Sequence, residues 1–492
     1  MSEDLIVETR QGRLRGAMVK ARGAEVRRWL GAPYAQARRF AEAEPPSAWA
    51  GVRDATSMAP QCPQGMGKRI MVDAPGYGED CLALNIWSPP GAEDGRPRPV
   101  LFWIHGGAFM AGSCNPYDGA ELAAQGDMIV VAINYRVGVF GFVNFAEALG
   151  LPEIPSNLGL RDQIAALHWV HDNIAAFGGD PERVTICGQS AGSMSVSLLM
   201  LCEEAWPLFR GAIMQSGAVS LIHDREMSLK LARRYCELLD LNQGGLEKLR
   251  TIDARRLLEA QALAQQVAPL TIPAAPWYDG AFLPPTLEDA HRAASAPVPL
   301  MAGSTREETR LFEMLPGPDI LPTKRADLET IVRAQLPSAH ADQVLNAYGK
   351  NKAGARALAT DLAFTMPTRN FAERHSGRQP TWFYRFDYSH PLAGAAHGID
   401  LLFMWPIYGL AGMALRGGLY AGRLRALAER YRAHIIRFVQ SGRPGEDWPA
   451  YAAPTRATLA FNLTDKIEHD PDRERRTAWL GKDVGPGISA RV

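Results

Sequence analysis

Apolar residues gather in short dense runs between about residues 80 and 135. These are Leu82-Ala83-Leu84-Asn85-Ile86-Trp87, Val100-Leu101-Phe102-Trp103-Ile104 and Met128-Ile129-Val130-Val131-Ala132-Ile133. Runs of this length with little polar alternation predict strands buried on both faces, as in a mostly parallel sheet covered by helices. The proline-rich, charged stretch Ser88 to Pro99 between the first two is a surface connection. Ahead of them, Leu5 to Thr9, a turn near Gln11-Gly12, and Arg27-Arg28-Trp29-Leu30 before Gly31-Ala32-Pro33-Tyr34 predict a small antiparallel sheet leading into the main fold. The period then changes. Leu160 to Ile174 reads as an amphipathic helix with Ile164, Leu167 and Ile174 among its apolar positions, ending at Gly178-Gly179-Asp180-Pro181. A new apolar run, Val184-Thr185-Ile186-Cys187, follows at once. Two helices are expected between about 225 and 265, and another from Leu419 to Val439, with Leu424, Leu427, Tyr431, Ile435 and Phe438 as buried contacts. Strand, helix, turn and strand in this order predict an open α/β sheet.

Composition narrows the class without altering that picture. The 492 residues are 47% hydrophobic and 22% charged, with 53 basic side chains matching 53 acidic ones, so no charge excess favours nucleic acid or an anionic membrane. Length allows two or three domains, but large α/β enzymes often keep one sheet throughout, and no linker, repeat or low-complexity tract divides the chain. No apolar run approaches the roughly 18 residues of a membrane helix. The acidic start Met1-Ser2-Glu3-Asp4 lacks the basic opening of a secretory signal, which predicts a cytoplasmic protein. Six dispersed cysteines form neither a disulfide framework nor a metal-ligand cluster. Cys62 and Cys81 are near enough to clip a surface loop, although a cytoplasmic setting argues against a permanent bond, and Cys187 reads as a small buried hydrophobe.

Chemistry enters at Gly188-Gln189-Ser190-Ala191-Gly192, just after the last of these strands. A sharp turn from strand to helix exposes a serine hydroxyl and leaves room only for small residues two positions either side. The helix expected from Ser193 to Met200 would present free N–H groups to negative charge developing near Ser190. Taken alone, two glycines around a serine are equally a plain turn. A nucleophilic serine needs a base, and the base needs a partner to fix its tautomer. Among the later histidines, His397 lies in the small-residue loop Ala395-Ala396-His397-Gly398, with His390 its main competitor. For the acid, Glu307 and Glu308 both follow the expected strand and turn at Pro299 to Gly303, and local chemistry does not separate them. Asp361 is expected to be structural. The N–H groups of Gly107 and Ala108 in His105-Gly106-Gly107-Ala108-Phe109, with that of Ala191, form a coherent donor set for an oxyanion.

Together these motifs resemble the type-B carboxylesterases, which include bacterial para-nitrobenzyl esterases and the cholinesterases. The resemblance runs through Gly31 to Ala35, Glu79 to Trp87, His105 to Phe109, Asn134 to Gly138, Asn157 to Gln163, the Ser190 elbow, Gln215 to Gly217, Asp279-Gly280, Trp448-Pro449 and Phe461-Asn462. It implies the α/β-hydrolase fold: a central, mostly parallel sheet flanked by helices, a small N-terminal antiparallel sheet, and a single domain over residues 1–492 with helical excursions around the pocket. It also implies a triad of Ser190, Glu308 and His397, an oxyanion hole at Gly107, Ala108 and Ala191, no metal and no organic cofactor. Three positions depart from the family pattern. Thr309 stands where glycine is usual, Gln189 where glutamate is common, and Ala108 where many animal relatives have a third glycine. Cys62 and Cys81 match the first disulfide of secreted relatives, so the resemblance leaves their pairing open.

The implied activity is ester hydrolysis through an acyl-enzyme on a small-molecule ester substrate, by a monomer or weak homo-oligomer that engages neither nucleic acid nor membrane. An amidase or carbamate hydrolase would use the same triad, and some relatives are adhesion proteins with a degenerate site, which the intact triad argues against. A lipase acting at an oil–water surface would need a lid, and no amphipathic segment identifies one. Trp103, Phe109, Phe312, Phe364, Phe403 and Trp405 are aromatic candidates for core or pocket, and none is assigned to specificity.

Overall fold

The computed structural model describes residues 5–66, 69–71, 76–92, 94–241, 245–268, 270–314, 321–406 and 421–484. Its strands in chain order are β1 (Ile6–Thr9), β2 (Gly12–Arg15), β3 (Ala17–Ala21), β4 (Ala24–Pro33), β5 (Val52–Asp54), β6 (Gln64–Met66), β7 (Arg69–Met71), β8 (Ala83–Ser88), β9 (Arg98–Ile104), β10 (Ile129–Ile133), β11 (Gly179–Gln189), β12 (Gly211–Gln215), β13 (Leu300–Thr305), β14 (Thr381–Phe386), β15 (Ala457–Phe461) and β16 (Lys466–His469). Eleven of them form one sheet in the order β16-β15-β14-β13-β12-β11-β9-β10-β8-β4-β3. From β10 to β15 the pairing is parallel. Antiparallel β8, β4 and β3 extend one edge and β16 the other.

The dense apolar runs are explained by helices on both faces. Along β9, Val100, Phe102 and Ile104 enter one core while Leu101 and Trp103 enter the other, so period-two alternation feeds two apolar layers from a continuous apolar strand. The first layer is closed by the helices Leu158–Asn173 and Ala191–Leu199. The second is closed by Ala421–Ser441, where Leu427, Tyr431, Ile435 and Phe438 are buried and Leu424 packs at the margin, as their spacing predicts. Residues 419 and 420 of that expected helix lie outside the described residues.

Two expectations are refined. The N-terminal sheet contains the antiparallel pair β1–β2, but β5 joins it parallel to β2. Arg27 to Leu30 belongs instead to β4 in the main sheet, because Trp29 is fully buried there with its ring edge-on to Phe177 at 4.8 Å. Between 225 and 265 there are three helices, Arg225–Leu238, Gly245–Thr251 and Ala254–Ala264, where two were expected. Asp253 caps the last by accepting from Arg255 N, which restarts the helix after Thr251.

Two family motifs meet at a buried ion pair. Arg136 donates to Asp162 from Nε at 2.8 Å, from Nη2 at 2.6 Å and from its backbone N at 3.0 Å, tying the segment after β10 to the helix Leu158–Asn173. Among the described residues no helix is long and apolar enough to cross a membrane. The chain's candidate chemistry gathers past the carboxyl ends of β9, β11, β13 and β14, where ligands bind in open α/β sheets.

Candidate active site

Gln189 ends β11 and Ala191 begins the next helix, leaving Ser190 alone between them at φ 58° and ψ −126°. A side chain seldom occupies that region, so the surroundings must enforce it. Ser190 N donates to Gln215 O at 2.9 Å, and Met194 N donates to Ser190 O at 2.9 Å. The flanking glycines answer to backbone crowding. A Cβ on Gly188 would lie 2.4 Å from the Gly192 carbonyl, and one on Gly192 would lie 2.1 Å from Ile104 O in β9.

After β9 the chain bends through Gly107 at φ 122°, Ala108 at φ 55° and Phe109 at φ 58°. A Cβ on Gly106 would come within 3.0 Å of Ser190 Cβ, which measures how closely this loop approaches the elbow. Among the described residues, the N–H groups of Gly107, Ala108 and Ala191 donate to no protein acceptor, leaving three donors at the elbow. His105 supports the loop from below. It is buried and stacked on Tyr135 with ring centroids 4.3 Å apart, and burial pushes its pKa down to about 4, so the imidazole stays neutral.

The structure brings Glu308 and His397 to the same place. His397 Nδ1 lies 2.6 Å from Glu308 Oε2, while Glu308 Oε1 accepts from Thr305 N at 2.7 Å. The carboxylate is fully buried. The two loops are also joined through their backbones, with His397 N donating to Glu308 O at 3.1 Å and Glu307 N donating to Ala395 O at 2.9 Å. His397 Nε2 lies 3.1 Å from the side-chain amide of Gln189, so its free nitrogen faces the elbow.

The competing candidates lie elsewhere. Glu307 points outward, accepting from Ala395 N at 3.2 Å and pairing with Arg310 at 3.3 Å and Arg356 at 3.5 Å. His390 caps its own turn, with Nδ1 accepting from Leu392 N and Ala393 N, each at 3.2 Å. Asp361 is buried against Tyr348 at 2.6 Å and Arg475 at 3.2 Å, a structural position. Cys62 and Cys81 are free buried thiols in this structure, so the pairing left open by the resemblance is not made there. Hydrogen bonding to Cys62 is the first cause that holds the Cys81 thiol well above its usual range. Cys187 is buried in β11, as expected for a small hydrophobe.

The sequence offers Phe312 and Phe364 as aromatic candidates without assigning them, and it carries no signal for the turn that delivers Phe364 or for Asp400. Phe312 and Phe364 flank the imidazole, at 5.5 and 4.6 Å between ring centroids, while Trp103, Phe109, Phe403 and Trp405 pack with other rings. Phe364 arrives on a π-helical turn, Asp361–Thr365, which no local composition signals. Asp400 lies three residues beyond His397, fully buried, with Tyr384 donating to it at 3.3 Å. Burial, reinforced by the nearby Glu308 charge, pushes its carboxyl up to about 6.

A strained serine, a carboxylate–imidazole pair turned toward it and uncommitted N–H donors on this sheet define an α/β serine hydrolase. Residues 3–479 match the model of the Carboxylesterase family, and the chain belongs to that family. It is 36% identical to the para-nitrobenzyl esterase of Bacillus subtilis (strain 168), over 96% of this chain and 97% of that protein. A thermophilic PNB esterase structure superposes with a TM-score of 0.84 at 34% identity, covering 96% of this chain and 99% of the other. A Geobacillus stearothermophilus carboxylesterase structure gives 0.82 at 35% identity, with the same coverage. The protein is a serine carboxylesterase that hydrolyses esters through an acyl-enzyme intermediate.

Proposed function

We propose that Ser190 is the nucleophile, His397 the general base and acid, and Glu308 the group that fixes the imidazole with its proton on Nδ1. Ser190 Oγ attacks the ester carbonyl as its proton passes to His397 Nε2. The N–H groups of Gly107, Ala108 and Ala191 hold the oxyanion, each contributing roughly 3 kcal/mol of transition-state stabilisation. His397 then protonates the leaving alcohol. Water, deprotonated by the same imidazole, releases the acid. The observation that carries this reading is the imidazole held between Glu308 at 2.6 Å and the elbow residue Gln189 at 3.1 Å.

For substrate we propose small aryl-containing carboxylic esters. The Bacillus subtilis relative is named for para-nitrobenzyl esters, and Phe312 and Phe364, parallel within 11° at 6.0 Å, offer flat apolar surface beside the base. We further propose that the chain acts as one catalytic domain in the cytoplasm, a setting in which its six buried thiols stay reduced. The test is a panel of short-chain, long-chain and aryl esters with matched amides and carbamates, run beside Ser190→Ala. Aryl esters should turn over fastest, and the variant should lose roughly a millionfold in kcat. Undiminished turnover by Ser190→Ala would overturn the assignment of the nucleophile.

A further inference from the structure

We propose that Gln189 is a positioning residue that restrains the base: its side-chain amide holds Nε2 of His397 in the resting enzyme and so sets the pH range over which Ser190 is reactive. The inference rests on the roles assigned above to Ser190 and His397. With the Nδ1 proton directed at Glu308, Nε2 carries one lone pair, and an amide N–H at 3.1 Å can donate into it. That lone pair is the one the serine hydroxyl needs. Among the described residues no hydrogen bond joins Ser190 Oγ to His397, so the amide takes the position that a poised serine would use.

Gln189 is held there. It is buried between the two loops: a Cβ built on Gly106 of the oxyanion loop would come within 3.2 Å of its Oε1, and one built on Gly398 beside the base within 3.7 Å of its Nε2. An amide donor recognises only the neutral imidazole, because a protonated Nε2 has no lone pair to offer. A carboxylate in the same position would do the reverse, accepting from protonated Nε2 and keeping the base charged to higher pH. The position before the serine is also where this chain departs from the glutamate common in its family. The other groups facing the imidazole are Glu308 at Nδ1, Asp400 on its own loop backed by Tyr384, Tyr431 and Cys187, and the uncharged rings of Phe312 and Phe364. Glu307 lies farther out, paired with Arg310 and Arg356. Exchanging Gln189 leaves all of these in place.

The test measures two reactions against pH in the wild type, Gln189→Glu, Gln189→Leu and Ser190→Ala. One is kcat/KM for an aryl ester. The other is inactivation by a fluorophosphonate, in which Ser190 Oγ bonds to phosphorus, fluoride leaves and the hydroxyl proton passes to His397. Gln189→Glu should move the acid limb of both profiles upward by about one pH unit or more. Gln189→Leu should free the lone pair for Ser190 and raise the fluorophosphonate rate several-fold on the plateau. A Gln189→Glu profile that superposes on the wild type, while Ser190→Ala is silent, overturns this inference and leaves the triad standing. Activity in Ser190→Ala overturns the triad reading itself. Should Gln189→Glu fail to fold by circular dichroism, the leucine variant decides: a uniform fall at every pH is a structural effect and overturns the proposal.

Discussion

At the elbow, backbones press together so closely that a Cβ on Gly192 would lie 2.1 Å from a carbonyl oxygen, whereas one on Gly398, next to His397, would meet nothing beyond its chain neighbours nearer than 3.7 Å. The serine side of the site is shaped by steric exclusion between β9, β11 and the following helix. The acid–base side is assembled from two loops, each starting past its own strand, which meet through the Glu308–His397 bond and backbone hydrogen bonds. Excluded volume tolerates no intermediate, but hydrogen-bonded loops can lose a contact and keep most of their geometry. Substitutions on the serine side should therefore be all-or-none in stability, and those on the other side should be graded and chemical.

Gly192→Ala tests the first half of that contrast most severely. It should cost more than about 4 kcal/mol, because the clashing atom is backbone inside the sheet and cannot rotate away. Urea unfolding, or failure to recover folded protein, would show it. Glu308→Gln is the matching test across the site. The fold should survive with little change in melting temperature while kcat falls by roughly three to four orders of magnitude, as expected when a triad imidazole loses the partner that sets its tautomer. A variant that unfolds instead would mean that the acid is held by packing, erasing the distinction.

Asp400 sharpens the comparison through pH. Its folded pKa is raised to about 6 by burial, so its contribution to stability is fully present below the unfolded value near 3.8 and is lost as pH rises through about 6. Asp400→Asn should therefore raise stability at pH 8 by up to roughly 3 kcal/mol and change little at pH 3. Melting curves at the two pH values check the sign, and equal shifts at both would refute it. The smallest effect is expected for Gly398→Ala, whose φ of 74° costs about 1 kcal/mol of strain but meets no clash. Its thermal shift should be a small fraction of that for Gly192→Ala.

The same contrast explains how much could be read from the chain beforehand. The glycine spacing around Ser190 and the small residues after β9 were legible because their cause is local: backbone contacts leave a mark in residue type at fixed offsets. On the acid–base side the chemistry narrowed the choice without making it. Glu307 and Glu308 are adjacent and chemically alike, and only the turn after β13 directs one inward to His397 and the other outward to Arg310 and Arg356. The family resemblance named Glu308; composition did not. The pattern of Arg27 to Leu30 predicts a strand but not which sheet it joins, because it records that Trp29 is buried without recording what buries it. Phe364 reaches the imidazole only through a π-helical turn, and Asp400 becomes an unusual acid only because Tyr384, Tyr431 and Glu308 surround it.

The order of amino acids alone determined the strands with their two buried faces, the helices that cover them and the constrained turn at Ser190, since each follows from side-chain period or backbone sterics over a few neighbouring residues. Tertiary structure alone decided which carboxylate meets which imidazole, that the Gln189 amide rather than the serine hydroxyl rests on Nε2, and that Asp400 is an acid with a pKa near 6. Hydrogen bonding and desolvation depend on distances between residues as far apart as 189 and 397, and such distances exist only once the sheet has brought its loops to one edge.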